Sequence, residues 1–275
     1  MAFQATIEME FGARSDNGRV RENNEDSFRV VPELNLFVLS DGMGGQASGE
    51  VASRLAAETI VAHCREAEAN PSLPIIGERI DGASAMANRL ASAVRLANQA
   101  VHQAAERNEA RTGMGATVVA VQFADERMTI AHVGDSRAYR LRNGELEQLT
   151  PDHSFIAEQV RQGLMSAKDA SQSKLQNVLL RALGVDPEVE VEINEELLAE
   201  GDMLLLCSDG LTHELSDERI AAALCDADEA QEAASRLVEL ANQAGGGDNI
   251  TVIVLRHAPK FAGAMAKIGR WFTGS

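Results

Sequence analysis

The chain has 275 residues, 45% hydrophobic and 24% charged, the proportions of a soluble globular protein, which excludes wholesale disorder. Aromatic residues make only 4%, so the core must be aliphatic. Lysine and arginine number 25 against 42 acidic residues, leaving −17; a field of that sign repels phosphate backbones and argues against nucleic-acid binding. It does not exclude anionic substrates, because a bound divalent cation inverts the local sign.

Cys64, Cys207 and Cys225 are odd in number and form no C-x-x-C pair, which argues against a disulfide framework or structural zinc and for a reducing compartment. The opening MAFQATIEMEF has no basic region followed by a long apolar one, so no signal peptide is expected. No apolar run approaches the ~18 residues of a membrane span. A cytoplasmic protein is expected.

In chain order, a charged stretch from Arg21 to Asp26 leads into a predicted strand, Ser27–Val31. Leu36–Ser40 is a near-continuous apolar run, the pattern of a strand covered on both faces. After a glycine-rich turn, Ser48–Glu66 places Val51, Leu55 and Ala62 along one side of a helix. Ala83–Glu106 repeats Met86, Leu90, Val94, Ala97 and Val101 at helical period. Thr117–Phe123, Met128–Val133 and Arg137–Arg142 read as neighbouring strands, with Asn143-Gly144 as a hairpin dipeptide. The stretch from Thr150 to Pro187 is the least regular and reads as an elaboration on one domain. Met203–Cys207 is a second apolar strand, Ala230–Ala244 a helix stopped by three glycines, and Ile250–Leu255 a third apolar strand. Residues 1–257 are expected to form one domain and residues 258–275 a basic amphipathic tail. There Lys260, Lys267 and Arg270 alternate with Phe261, Met265, Ile268, Trp271 and Phe272. Clustered strands with helices between them favour helix-covered sheets over regular βαβ alternation.

Acidic residues recur at the ends of these strands. Ser40-Asp41-Gly42 and Ser208-Asp209-Gly210 close two of them, Asp248-Asn249 opens a third, and Gly134-Asp135-Ser136 joins two others. Taken singly, an Asp-Gly pair is a turn. A carboxylate fixed at a buried strand end is costly to desolvate unless it meets a cation, and four such sites point to a metal cluster. Oxygen ligands with no His or Cys cluster suit magnesium, manganese or calcium, and no EF-hand loop is present. Converging carboxylates fit a two-metal hydrolase, in which a metal-bound water attacks phosphorus in line. Arg21 has the planar donor fork for a phosphate.

Read together, VRENNEDSF, LSDGMGGQASGEVAS, TGMGATVVA, VGDSRAYRL, LTPDHS, LLLCSDGLT and GGGDNITVIVL resemble, in order, the bacterial metal-dependent protein phosphatases (PPM, or type 2C) across residues 10 to 256. The resemblance implies an α+β fold, a central antiparallel β-sandwich flanked by helices in four layers, with two Mn²⁺ or Mg²⁺ ions at one end. Asp41 would bridge both ions and Gly42 would ligate through its carbonyl. Asp209 and Asp248 would hold one ion, and Glu25 and Asp26 the other, directly or through water. Asp135 matches the ligand of a weaker third ion, and Arg21 the phosphate-binding arginine. The implied reaction is hydrolysis of phosphoserine or phosphothreonine in proteins, without a phosphoenzyme, opposing a Ser/Thr kinase; a monomer is expected. Residues 150 to 187 would be the variable flap. One departure concerns proton delivery: where family members often carry a histidine, this chain has Met43 and Gln46. His153 is a weak substitute, with a structural turn role for Asp152-His153 preferred.

Two other enzymes fail on sequence. Gly42–Ala47 fits G-x-G-x-x-G/A, but Asp41 would sit against the pyrophosphate and no second strand precedes the expected ribose-binding acid. No G-x-x-x-x-G-K-[ST] occurs. The remaining alternative is a catalytically weakened phosphatase fold kept as a binding or scaffold module. Retention of Asp41, Asp209 and Asp248 favours the enzyme.

Overall fold

The computed structural model describes residues 9–44, 48–166, 169, 173, 175 and 178–257. Strands β1 (Met9–Asp16), β2 (Asp26–Val31) and β3 (Leu36–Met43) are followed by helices α1 (Ser48–Ala69) and α2 (Ala85–Glu106). The chain continues through β4 (Gly115–Ala116), β5 (Val118–Ala124), β6 (Arg127–Val133), β7 (Arg137–Arg142) and β8 (Glu145–Gln148) to α3 (Phe155–Arg161). Then come β9 (Glu192–Leu197), β10 (Met203–Cys207), α4 (Asp209–Thr212), α5 (Asp217–Cys225), α6 (Ala230–Ala244) and β11 (Ile250–His257).

Two antiparallel sheets result, one in the order β1-β11-β10-β7-β8 and the other β2-β3-β5-β6-β9, with β4 paired to β3. The apolar runs explain the layering. Because side chains alternate along a strand, Phe37 and Leu39 of β3 enter the core between the sheets while Leu36 and Val38 pack under the first helix pair. On the other sheet Leu204 and Leu206 of β10 face inward, while Met203, Leu205 and Cys207 pack under α5 and α6. Each buried aliphatic side chain contributes about 1.5–3 kcal/mol. The arrangement is the expected α-β-β-α sandwich. Small residues set its helix spacing: Ala52, Ala56 and Ala57 of α1 and Ala91, Ala93 and Ala97 of α2 are fully buried in the same core.

The expected strand Thr117–Phe123 starts one residue later, because Thr117 is spent on side-chain bonds described below. The strand expected to end at Ser40 runs on to Met43. β1, β8 and β9 are edge strands without a long apolar run, and the sequence pattern did not single them out. Within the expected flap, α3 forms with Ser154 as its N-cap, and single bridges tie Ser154 to Leu179 and Ala116 to Leu183. The tail from residue 258 lies outside the described residues, as does Gln46. Among the described residues no helix is long and apolar enough to cross a membrane, and the three cysteines are free.

Candidate metal and phosphate centre

Asp26 and Asp41 are directly opposed partners on β2 and β3, so two carboxylates meet at one end of the sandwich. The small hydroxyl residues of the sequence motifs fix them. Ser208, fully buried at the end of β10, donates to Asp26 Oδ2 at 2.8 Å and accepts from the Thr251 amide at 3.0 Å. This ties one sheet to the other. Ser40 Oγ donates to the Thr117 carbonyl at 2.7 Å, and the Asp41 amide donates to Thr117 Oγ1 at 3.1 Å. Thr117 Oγ1 also bonds Ser136 Oγ at 2.6 Å, linking the Asp41 strand to the loop that carries Asp135.

Neither Ser-Asp-Gly glycine is there to turn the chain. Gly42 lies within β3, and a Cβ on it would stand 2.1 Å from the Gly49 carbonyl oxygen. Gly210 lies in α4, and a Cβ there would stand 2.0 Å from the Asn249 oxygen. Both are required for close backbone approach, which brings the N-terminal end of α1 against Asp41 and α4 against Asp248-Asn249.

Asn249, 5% exposed, gathers the N-terminal loop. Its Oδ1 accepts from the Glu25 amide at 2.8 Å, and its Nδ2 donates to the carbonyls of Asn17 at 3.1 Å and Asn23 at 2.8 Å. The charged stretch before β2 is therefore a built loop. Sequence pattern missed this role, although Asn next to a strand-opening Asp was visible.

The result is a cleft of about 420 Å³ lined by Arg21, Glu25, Asp41, Gly42, Asp135, Asp209 and Asp248, among others. Asp26 stands directly behind it through its pairing with Asp41. The expected metal ligands and Arg21 are thus brought to one place. Asp135 and Asp209 also border an adjoining cleft of about 810 Å³ under α3, whose wall includes Arg137 and His213. There Arg137 forks onto Asp152 with bonds of 2.8 and 2.7 Å, joining the Gly-Asp-Ser-Arg and Pro-Asp-His segments.

Burial raises Asp26, Asp41, Asp135 and Asp209 above the ordinary carboxylate range, and the charge of neighbouring carboxylates raises each of them further. Arg21, half exposed, donates from Nη2 to Asp248 Oδ2 at 2.8 Å. Asp26 Oδ1 is buried without a hydrogen-bond partner. Such a set lacks positive charge, and its donors are oxygens alone. Divalent magnesium or manganese fits it.

His153 does not line either cleft. It is buried, its ring bonded to Gly134 and Glu192; its role is structural but tertiary, since residues 151–153 form no turn, and it is not placed to donate a proton at the cleft. Met43 borders the cleft. His213, read from the sequence as an ordinary residue, lies one helical turn after Asp209, with Nδ1 3.6 Å from Asp209 Oδ2; that i, i+4 spacing was the available signal.

With the site described, the comparisons with known proteins are unambiguous. The model of the protein phosphatase 2C family matches residues 16–243. The serine/threonine protein phosphatase PstP of Mycobacterium tuberculosis is 41% identical over 251 residues, 91% of this chain and 45% of that protein. The chain thus spans less than half the length of that relative. The serine/threonine phosphatase stp of Listeria monocytogenes is 37% identical over 245 residues, covering 88% of this chain and 93% of its own length. A structure of the PstP catalytic domain in complex with two manganese ions superposes with a TM-score of 0.77 at 39% identity, covering 91% of this chain and 99% of that one. The chain belongs to the protein phosphatase 2C family, the class of metal-dependent serine/threonine protein phosphatases.

Proposed function

We propose that this chain hydrolyses phosphoserine and phosphothreonine in protein substrates at the carboxylate cleft, opposing a Ser/Thr kinase, as a cytoplasmic monomer that does not bind nucleic acid. The observation that carries the reading is the convergence of Asp26, Asp41, Asp135, Asp209 and Asp248 around one opening with Arg21 beside them. Half-buried acids that repel one another destabilise the fold unless cations neutralise them. Asp41, the Gly42 carbonyl, Asp209, Asp248, Glu25 and Asp26, the last two directly or through water, would hold two Mn²⁺ or Mg²⁺ ions, and Asp135 would hold a third. Bound there, the ions would supply the Lewis acidity that activates water and offsets phosphate charge.

The chain's own groups do the rest. Arg21 presents its guanidinium at the cleft mouth, oriented by Asp248, and would bind the phosphate oxygens of the substrate. Asn249 holds the loop that carries Arg21 and Glu25, so the phosphate and metal contacts keep one geometry. Ser208 holds the Asp26 carboxylate across the two sheets, and Thr117 holds the Asp41 backbone and the loop that carries Asp135. A net charge of −17 supports a protein rather than a nucleic-acid substrate. The test is hydrolysis of a phosphothreonine peptide with Mn²⁺ and after chelation; turnover that survives excess chelator overturns the reading. A scaffold role finds no supporting observation, since no acid of the set is missing.

A further inference from the structure

His132, His153 and Glu192 place potential ligand atoms within 4.8 Å of one another, outside the carboxylate cleft. Their hydrogen bonds exclude a metal cage. His153 Nδ1 accepts from the Gly134 amide at 3.1 Å, so the hydrogen of the neutral ring lies on Nε2, which donates to Glu192 Oε2 at 3.0 Å. A metal on Nε2 would require an imidazolate or the loss of the Gly134 bond.

The same bonds define a different device. Glu192, opposite His132 on paired strands β9 and β6, fixes the tautomer and orientation of the His153 ring. His132 stacks on that ring, with centroids 4.5 Å apart and planes 23° from parallel, and its own Nε2 bonds the Pro151 carbonyl at 2.9 Å. His153 then grips Gly134 twice, since the His153 amide also donates to the Gly134 carbonyl at 2.9 Å. Gly134 has φ +107, and a Cβ there would stand 2.7 Å from Thr117 Cβ. Its peptide is held on every side, and the next residue is Asp135.

We propose that Glu192 and His153 are positioning residues that aim the Asp135 carboxylate into the metal cleft by fixing the Gly134 peptide. The proposal rests on the reading of Asp135 as a metal ligand. Neither residue touches the cleft, and each acts through the backbone. Loss of an outer-shell partner of this kind typically costs 10–100-fold in metal affinity.

The test measures Mn²⁺ binding by calorimetry together with the Gly134 amide signal in ¹H–¹⁵N spectra. It compares the parent with Glu192→Ala, Glu192→Gln, Asp135→Ala and the Glu192→Ala/Asp135→Ala double variant. Glu192→Ala should weaken the Asp135-dependent binding event about tenfold and shift the Gly134 amide. Glu192→Gln keeps an oxygen acceptor for Nε2–H and should recover most of both. In the Asp135→Ala background, Glu192→Ala should change Mn²⁺ binding no further. Unchanged binding and an unchanged amide in Glu192→Ala would overturn the proposal, as would an equal loss in the Asp135→Ala background. If Asp135→Ala alone leaves binding intact, the ligand reading of Asp135 fails. The positioning of Gly134 then stands or falls on the amide signal.

Discussion

The two ends of β10 carry aspartates with opposite fates. Asp202, just before the strand, is 2% exposed. Arg142 forks onto it with bonds of 2.7 and 2.6 Å, and the Ala199 amide adds a third at 2.8 Å. Those bonds outweigh burial and hold Asp202 below its ordinary value. Asp209, just after the strand, meets no arginine fork, and burial with the charge of Asp248 holds it above. A buried acid whose charge the chain itself satisfies is structural. One that the chain leaves wanting a cation marks a place where a cation is supplied from outside.

Substitution separates the two ends most sharply. Asp209→Asn, like Asp41→Asn and Asp248→Asn, should lower Mn²⁺-dependent hydrolysis of a phosphothreonine peptide at least about 10²-fold while the far-ultraviolet dichroism stays native. Asp202→Asn should do the reverse, retaining metal binding and turnover. It should cost about 2–3 kcal/mol of stability in urea, less than the ~3–5 kcal/mol of a fully buried broken pair because Arg142 reaches solvent. An Asp202 variant that loses metal binding would erase the distinction. Next in size, Arg21→Ala should raise KM roughly tenfold with kcat nearly kept, because its phosphate contact exists already in the bound substrate. Calorimetry should find the metals still bound.

How far these features were legible in the sequence follows from the physics of each. The central strands were readable because Leu36–Ser40, Met203–Cys207 and Ile250–Leu255 are buried on both faces and so apolar throughout. The edge strands β1, β8 and β9 were not: Glu192–Leu197 reads EINEEL, two apolar residues among polar ones, and only pairing with β6 makes it a strand. The acids of the cleft were visible as strand-end residues, and the family resemblance ordered them. The glycines beside them suggested turns, whereas Gly42 and Gly210 permit backbone contact, which depends on elements distant in sequence. Likewise nothing local marks Asn249, Ser208 or Thr117 as ties that hold the site together, since each bond joins segments that only the fold brings together.

The smallest expected effect tests the comparison without any activity measurement. In the metal-free protein, burial and neighbouring charge push Asp26 and Asp135 up to about 7, from a value near ~4 in the unfolded chain. A group raised on folding contributes stability that is fully present below the unfolded value and lost as pH rises through the folded one. The metal-free protein should therefore lose this contribution between about pH 4 and pH 8, and saturating Mn²⁺ should restore it. Asp41→Asn removes the carboxyl that burial and its acidic neighbours hold well above the ordinary range. At pH 8 in chelator its Tm should exceed that of the parent by about 2–4 °C, the shift of roughly 1 kcal/mol in a chain of this size. Below about pH 4, where the carboxyl is protonated in the folded and the unfolded chain alike, the two should melt together. A catalytically dead variant that is more stable than its parent only without metal, and only at high pH, is the signature of acids kept for a cation. An Asp41→Asn protein that melts below its parent at pH 8 in chelator would show instead that the cluster is internally satisfied, as Asp202 is.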